Sequence, residues 1–128
     1  MDEQVEEMKG PNPLGELAKL ALDGLKEALT IFDPLGTMLY YNRRAAEILD
    51  RQPEYLGTKI HGHHQAATNR KFGAMLQEFR EGRTEPFRYE SRPYGQTLLV
   101  TVMPLRQEGR WVGCVQAVRL KEETAGLL

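Results

Sequence analysis

Three imidazoles fall within four positions, His61, His63 and His64, with only Gly62 between them. A neutral imidazole nitrogen is a good metal ligand and a good hydrogen-bond partner, so this is the densest chemistry in the chain. Three such groups can hold a metal ion. No carboxylate or other base stands beside them, because Glu78 lies too far down the following segment, so a zinc or catalytic site is disfavoured. The plain alternative is a set of ordinary polar residues at a helix start. Elsewhere the chain has no phosphate-cradling glycine loop, nucleophile elbow or carboxylate pair. Cys114 is the single cysteine, which excludes an intrachain disulfide and a multi-cysteine zinc site. It sits in a strand-like run with Trp111, Val112 and Val115, where a cysteine is more often a small buried hydrophobe than a nucleophile. An enzyme is not expected.

The element that must position the histidines is a helix running from about His61 to Arg80 and stopped by Gly82. At about 100° per residue, Thr68, Phe72, Met75 and Phe79 fall within about 40° of His61, and His64 lies about 60° away. If the helix starts by His61, then His61 and His64 share its apolar face and His63 points outward. A start after Gly62 or His64 removes His61 from that phase.

Around this helix the chain reads as follows. Residues 1–11 are an acidic, flexible N-terminus. Asn12-Pro13 is a helix-start signal, and Leu14, Leu17, Ala18, Ala21, Leu25 and Ala28 recur at helical spacing, predicting an amphipathic helix over 12–27. Strands are expected at 28–32 and 37–41, joined by the tight turn Asp33-Pro34-Leu35-Gly36. A short helix, 43–49, follows with Asn42 as its cap. Three further strands are expected at 87–92, 97–104 and 110–120, with turns at Pro93-Tyr94-Gly95 and Gln107-Glu108-Gly109. The last eight residues, 121–128, read as a tail. Five strands interrupted by helices predict an α+β domain, an antiparallel sheet with helices on one face, preceded by the amphipathic helix.

Composition agrees with one such domain. The 128 residues are 41% hydrophobic, enough for a single core but leaving no room for an output module beside a regulator. The formal net charge of −1 argues against a dedicated nucleic-acid or polybasic membrane binder. No apolar run approaches the ~18 residues of a membrane span, and the acidic N-terminus is unlike a signal peptide, so a cytoplasmic location is expected. The average hides a gradient. Residues 1–27 hold seven acids against three lysines, whereas 59–92 hold seven Lys and Arg against four acids, together with all three histidines. The basic block suits an anionic ligand, or is simply a solvated face.

The ordered set Ile31-Phe32-Asp33-Pro34-Leu35-Gly36, Met38-Leu39-Tyr40-Tyr41-Asn42 and Ala45-Ala46-Glu47-Ile48-Leu49 resembles the opening of a PAS domain. Tyr55-Leu56-Gly57 resembles a later family segment, and Trp111 to Gln116 its closing strand. The resemblance covers about residues 20–120, with the PAS domain proper at 28–120. It departs at Asp50, where the family usually has glycine. Ile60-His61-Gly62-His63 stands where a short bacterial and archaeal PAS subgroup has a C-H-P-P motif, and Phe79-Arg80-Glu81-Gly82 is similar to that subgroup's helix ending.

The resemblance implies a sensory or regulatory module whose long helix and sheet enclose a ligand. In haem-binding PAS sensors the proximal histidine lies on that helix, and arginines of the next strand contact propionate or bound gas. It therefore points to haem b with His61 or His64 as iron ligand, Thr68, Phe72 and Met75 at the cofactor, and Arg88 and Arg92 for its carboxylates. Ile31, Leu39, Leu99, Val102 and Val115 would complete the wall. A small organic ligand with a histidine as donor is a further possibility, as is a ligand-free interaction and dimerisation module. Helices flanking PAS domains often pair, so a homodimer through the N-terminal helix is expected. The output would come from a signalling partner, a second subunit or sequence outside this chain.

Overall fold

The first hairpin is built by one aspartate. Asp33 Oδ1 accepts from the backbone N–H of both Leu35 and Thr37, each at 2.9 Å, and Gly36 supplies the left-handed step at φ 86°. A computed structural model of the chain describes residues 13–59 and 66–126. In chain order they form α1 (Pro13–Asp23), β1 (Ala28–Phe32), β2 (Met38–Tyr41), α2 (Arg43–Ile48), a 3₁₀ turn (Pro53–Tyr55), α3 (Ala66–Arg80) and β3 (Phe87–Ser91). A second 3₁₀ turn (Pro93–Gly95), β4 (Leu98–Gln107), β5 (Arg110–Leu120) and α4 (Lys121–Gly126) complete it. The strands make one antiparallel sheet in the order β2-β1-β5-β4-β3. The expected α+β PAS architecture is therefore the observed one.

Two boundaries differ from expectation. The first helix ends at Asp23, four residues before Glu27, because Gly24 and Leu25 close it with short-range bonds back to Leu20, Ala21 and Leu22. Residues 121–126, read as tail, are helical, and Arg44 ties this end to α2 through Glu123 while also pairing Glu47.

α3 covers the inner face of the sheet. Phe72, Met75, Leu76 and Phe79 recur at the spacing of a helix face, and all are buried against Phe32, Leu98, Val100, Val102, Cys114 and Val118. The β4–β5 hairpin turns through Glu108 at φ 53° and Gly109 at φ 81°, the two left-handed residues that match strand twist in a two-residue loop. A bulge near Arg106 lets Val112 drop out of the alternation, so Val112 is exposed while Cys114 and Gln116 face inward.

Gly113 carries no weight in the sequence pattern, yet it is sterically required. Its φ is 151°, and a Cβ there would come within 2.3 Å of the Phe32 carbonyl oxygen.

Asn42 joins α1, β1 and α2. Its Oδ1 accepts from Leu29 N–H (2.9 Å) and Ala45 N–H (3.0 Å), and its Nδ2 donates to the carbonyls of Leu22 (2.6 Å) and Glu27 (2.9 Å). The side chain is fully buried and its polar atoms are satisfied, which makes it both the cap of α2 and the anchor of the α1–β1 link.

Candidate ligand cavity

Inner-face residues form rows across the sheet. One row runs Phe87, Val102, Gln116, Thr30, Tyr41, and the next runs Tyr89, Val100, Val118, Ala28. The two polar members in the middle of the first row, Thr30 and Gln116, lie directly opposite each other on β1 and β5. They receive Arg51, which follows α2. Asp50 takes the left-handed conformation at φ 53° and turns the chain so that Arg51 points under the helix layer. Arg51 is only 5% exposed. Its Nη2 donates to Gln116 Oε1 at 3.0 Å and its Nε to Thr30 Oγ1 at 3.4 Å, the second a long and weak contact.

Beside this arginine lies a cavity of about 500 Å³ between α2, α3 and the sheet. Phe72 and Met75 of α3 and Leu98, Val100 and Val118 of the sheet supply apolar wall; Arg51, Gln116 and Tyr89 supply polar groups. Burial pulls the Arg51 guanidinium down to about 10, with the Tyr55 phenol acting the other way, so it remains a cation at neutral pH. Burial raises the Tyr89 phenol, an effect the Gln116 side chain partly offsets, so Tyr89 stays protonated. At the mouth, Lys71 Nζ lies 3.9 Å from the centre of the Tyr89 ring.

The residues expected to carry chemistry are placed as follows. His61 and His64, the expected metal ligands, lie outside the described residues, as does His63. Thr68 is on the described part of α3. Phe72 and Met75 line the cavity. Arg88 is exposed and points to the other side of the sheet, since β3 turns Phe87, Tyr89 and Ser91 inward and Arg88 pairs with Thr101. Arg92 lies just past β3 with its side chain 75% exposed, 3.9 Å from Glu90. The expected wall is also corrected. Ile31, Leu99 and Val115 fall on the outer face by strand alternation, Leu39 is 54% exposed, and Val102 packs in the core away from the cavity. Among the described residues no group of His, Cys, Asp or Glu is arranged to hold a metal ion.

Residues 19–119 match the PAS domain family. The chain belongs to it. PAS domains are sensory and signalling modules, in general without catalytic activity of their own. The fold is similar to a C-terminal domain from Streptococcus mutans, at 24% identity and TM-score 0.71, covering 88% of this chain and 89% of that one. It is also similar to the PAS domain of Bordetella pertussis BvgS, at 19% identity and TM-score 0.68 over 91% and 92% of the two chains. A third similar structure is the PAS domain of the histidine kinase ThkA, at 15% identity and TM-score 0.59 over 74% and 99%. No curated protein sequence matches. Among the described residues no helix is long and apolar enough to cross a membrane.

Arg51, Gln116 and Tyr89 did not stand out among the histidines and their helix. The available signal was Thr30 and Gln116, polar residues at inward positions of otherwise apolar strands. In a sheet covered by a helix such residues need a buried partner.

Proposed function

We propose that this PAS domain senses a small organic ligand held between α3 and the sheet, and reports it through a dimer in which α1 packs on a second copy. The cavity carries the first part. Its volume of about 500 Å³ suits a small molecule, and its lining joins an apolar wall (Phe72, Met75, Leu98, Val100 and Val118) to the polar Arg51, Gln116 and Tyr89 and a charged mouth.

The second part rests on α1. Leu17 and Leu20 are 63% and 66% exposed, so this amphipathic helix is not folded down onto its own sheet. A two-fold dimer needs a helix and its receiving surface on the same chain. The outer sheet face offers one, with Ile31, Leu99, Met103 and Val115 exposed or half-buried there. Asn42 and Asp23, which accepts from Arg43 N–H at 2.8 Å, couple the end of α1 to α2, one wall of the cavity. A ligand that favours one packing of α2 then shifts the population of α1 arrangements.

Haem fits the described residues less well. Its iron would need His61 or His64, and of the two arginines expected for its carboxylates Arg88 faces away and Arg92 is in solvent.

Mass spectrometry of the purified chain under native conditions, and of its organic extract, tests the ligand. An organic molecule bound one per chain is expected. A sharp Soret band on adding hemin that disappears in His61→Ala or His64→Ala would replace it with haem. Neither result would leave an interaction module without a ligand. Light scattering after size exclusion tests α1: Leu17→Glu with Leu20→Glu is expected to give a monomer, and an unchanged dimer rejects this interface.

A further inference from the structure

A cation buried beside a cavity with an apolar inner wall and a charged mouth, held among the described residues only by neutral groups, asks for a counter-anion. Arg51 pairs with no carboxylate among the described residues; its acceptors are a hydroxyl and an amide. These occupy Nε and Nη2, and a guanidinium has five N–H donors. The remaining donors have no acceptor among the described residues, on a side chain that lines the cavity. An uncompensated charge in such a place is costly, and a bidentate oxyanion is the partner that matches the planar fork.

The surroundings narrow the anion. Phe72, Met75, Val100 and Val118 call for an apolar body next to the charged end. The mouth carries Glu47, Asp50 and Glu90 against Lys71. Glu47 and Glu90 are already engaged by Arg44 and Lys121, at 3.2 and 3.1 Å, and a second negative charge on the ligand would meet these acids. Dianions and polyphosphates are thus disfavoured.

We propose that Arg51 recognises a monocarboxylate with an apolar aromatic or medium-chain body, its carboxylate on the guanidinium and its body between α3 and the sheet. Tyr89, hydrogen-bonded to Gln116, also lines the cavity and adds a phenol to it. This rests on reading the cavity as the ligand site, and makes the site selective for charge as well as shape.

Isothermal titration of the full chain with matched pairs tests it: phenylacetate against phenylacetamide, octanoate against octanamide. The acids are expected to bind about 10- to 100-fold more tightly than their amides, the range for a hydrogen-bonded charge pair. Arg51→Met should bring acid and amide within about 3-fold of each other, and Arg51→Lys should keep part of the preference. In the wild-type chain, the Arg51 Nε–H resonance should move with the acids and not with the amides. Acids and amides binding alike in the wild type overturns the role of Arg51 and leaves the cavity as a ligand site. No binding of any of the four overturns both. The wild-type comparison stands even if the variant does not fold.

Discussion

The two ends of the space under α3 are built from the same helix and the same sheet, yet they differ in kind. At one end Phe79 is fully buried, its ring 5.2 Å from Phe87 and 6.3 Å from Trp111, with Phe32, Met38 and Cys114 also fully buried nearby. Arg80 and Arg83 close this end from outside, over the rings of Trp111 and Phe87. At the other end Arg51 stands beside the cavity, between α2, α3 and the sheet. Phe72 belongs to both: its ring meets Phe32 edge-on at 4.9 Å, and it also lines the cavity. The packed end holds the helix on the sheet, which allows the other end to stay hollow. Phe79 and its ring partners serve packing alone, whereas Phe72, Met75, Leu98, Val100 and Val118 belong to the core and also line the cavity proposed to bind a ligand.

Breaking the packed end should cost most. Phe79→Ala is expected to lose about 3–5 kcal/mol of unfolding free energy in urea denaturation, the range for a fully buried aromatic ring. A loss under 1 kcal/mol would mean that this end is no better packed than the other.

Cys114 gives a smaller effect at the same end, one that depends on pH. Burial, with a minor contribution from the Asp33 charge, raises its thiol to about 12 from 9. The folded state therefore keeps a proton that the unfolded state releases between these values, and stability falls as pH rises through that window. From pH 9 to 11 the wild type should lose about 2 kcal/mol more than Cys114→Ala, by the value of a pKa unit. Parallel pH profiles of the two proteins would show instead that solvent reaches this thiol. In the native protein at pH 8, thiol reagents should not label it.

The elements were legible where local chemistry decides them. The Asp33–Gly36 turn, the Asn42 cap and the Phe72–Phe79 spacing each specify structure within a few residues, and β1 and β5 occur at the expected positions. Non-local features were not legible. The wall of the cavity depends on the register of β4 and β5: of the expected wall residues Val102 is on the inner face, whereas Leu99 and Val115 fall on the outer one, one residue from Leu98 and Gln116 on the wall. The burial of Arg51 depends on Thr30 and Gln116, 21 and 65 residues away, and on the left-handed turn at Asp50. Gly113 is required by the Phe32 carbonyl on another strand. Periodicity reports which face of an element is apolar; it carries no information on where two covered faces leave a gap.

The smallest effect should come from the cavity end, and it is the sharpest test of the division. Arg51 is as buried as Phe72, each 5% exposed, so burial alone would predict a large loss on replacing it. The physical origin of its burial argues otherwise. Removing a buried cation that has no anionic partner among the described residues also removes its desolvation cost, and methionine fills similar volume with a flexible apolar chain. Thr30 and Gln116 each give up one contact, and Gln116, half-buried on the cavity wall, can be solvated from the mouth. Arg51→Met should therefore raise the unfolding free energy of the ligand-free protein by up to about 1 kcal/mol. It should also lower the stabilisation that added phenylacetate gives the wild type, since binding to the native state alone sets that shift. A loss of 3 kcal/mol without ligand would make Arg51 a structural strut equivalent to Phe79, and the two ends of the inner face would no longer differ in kind.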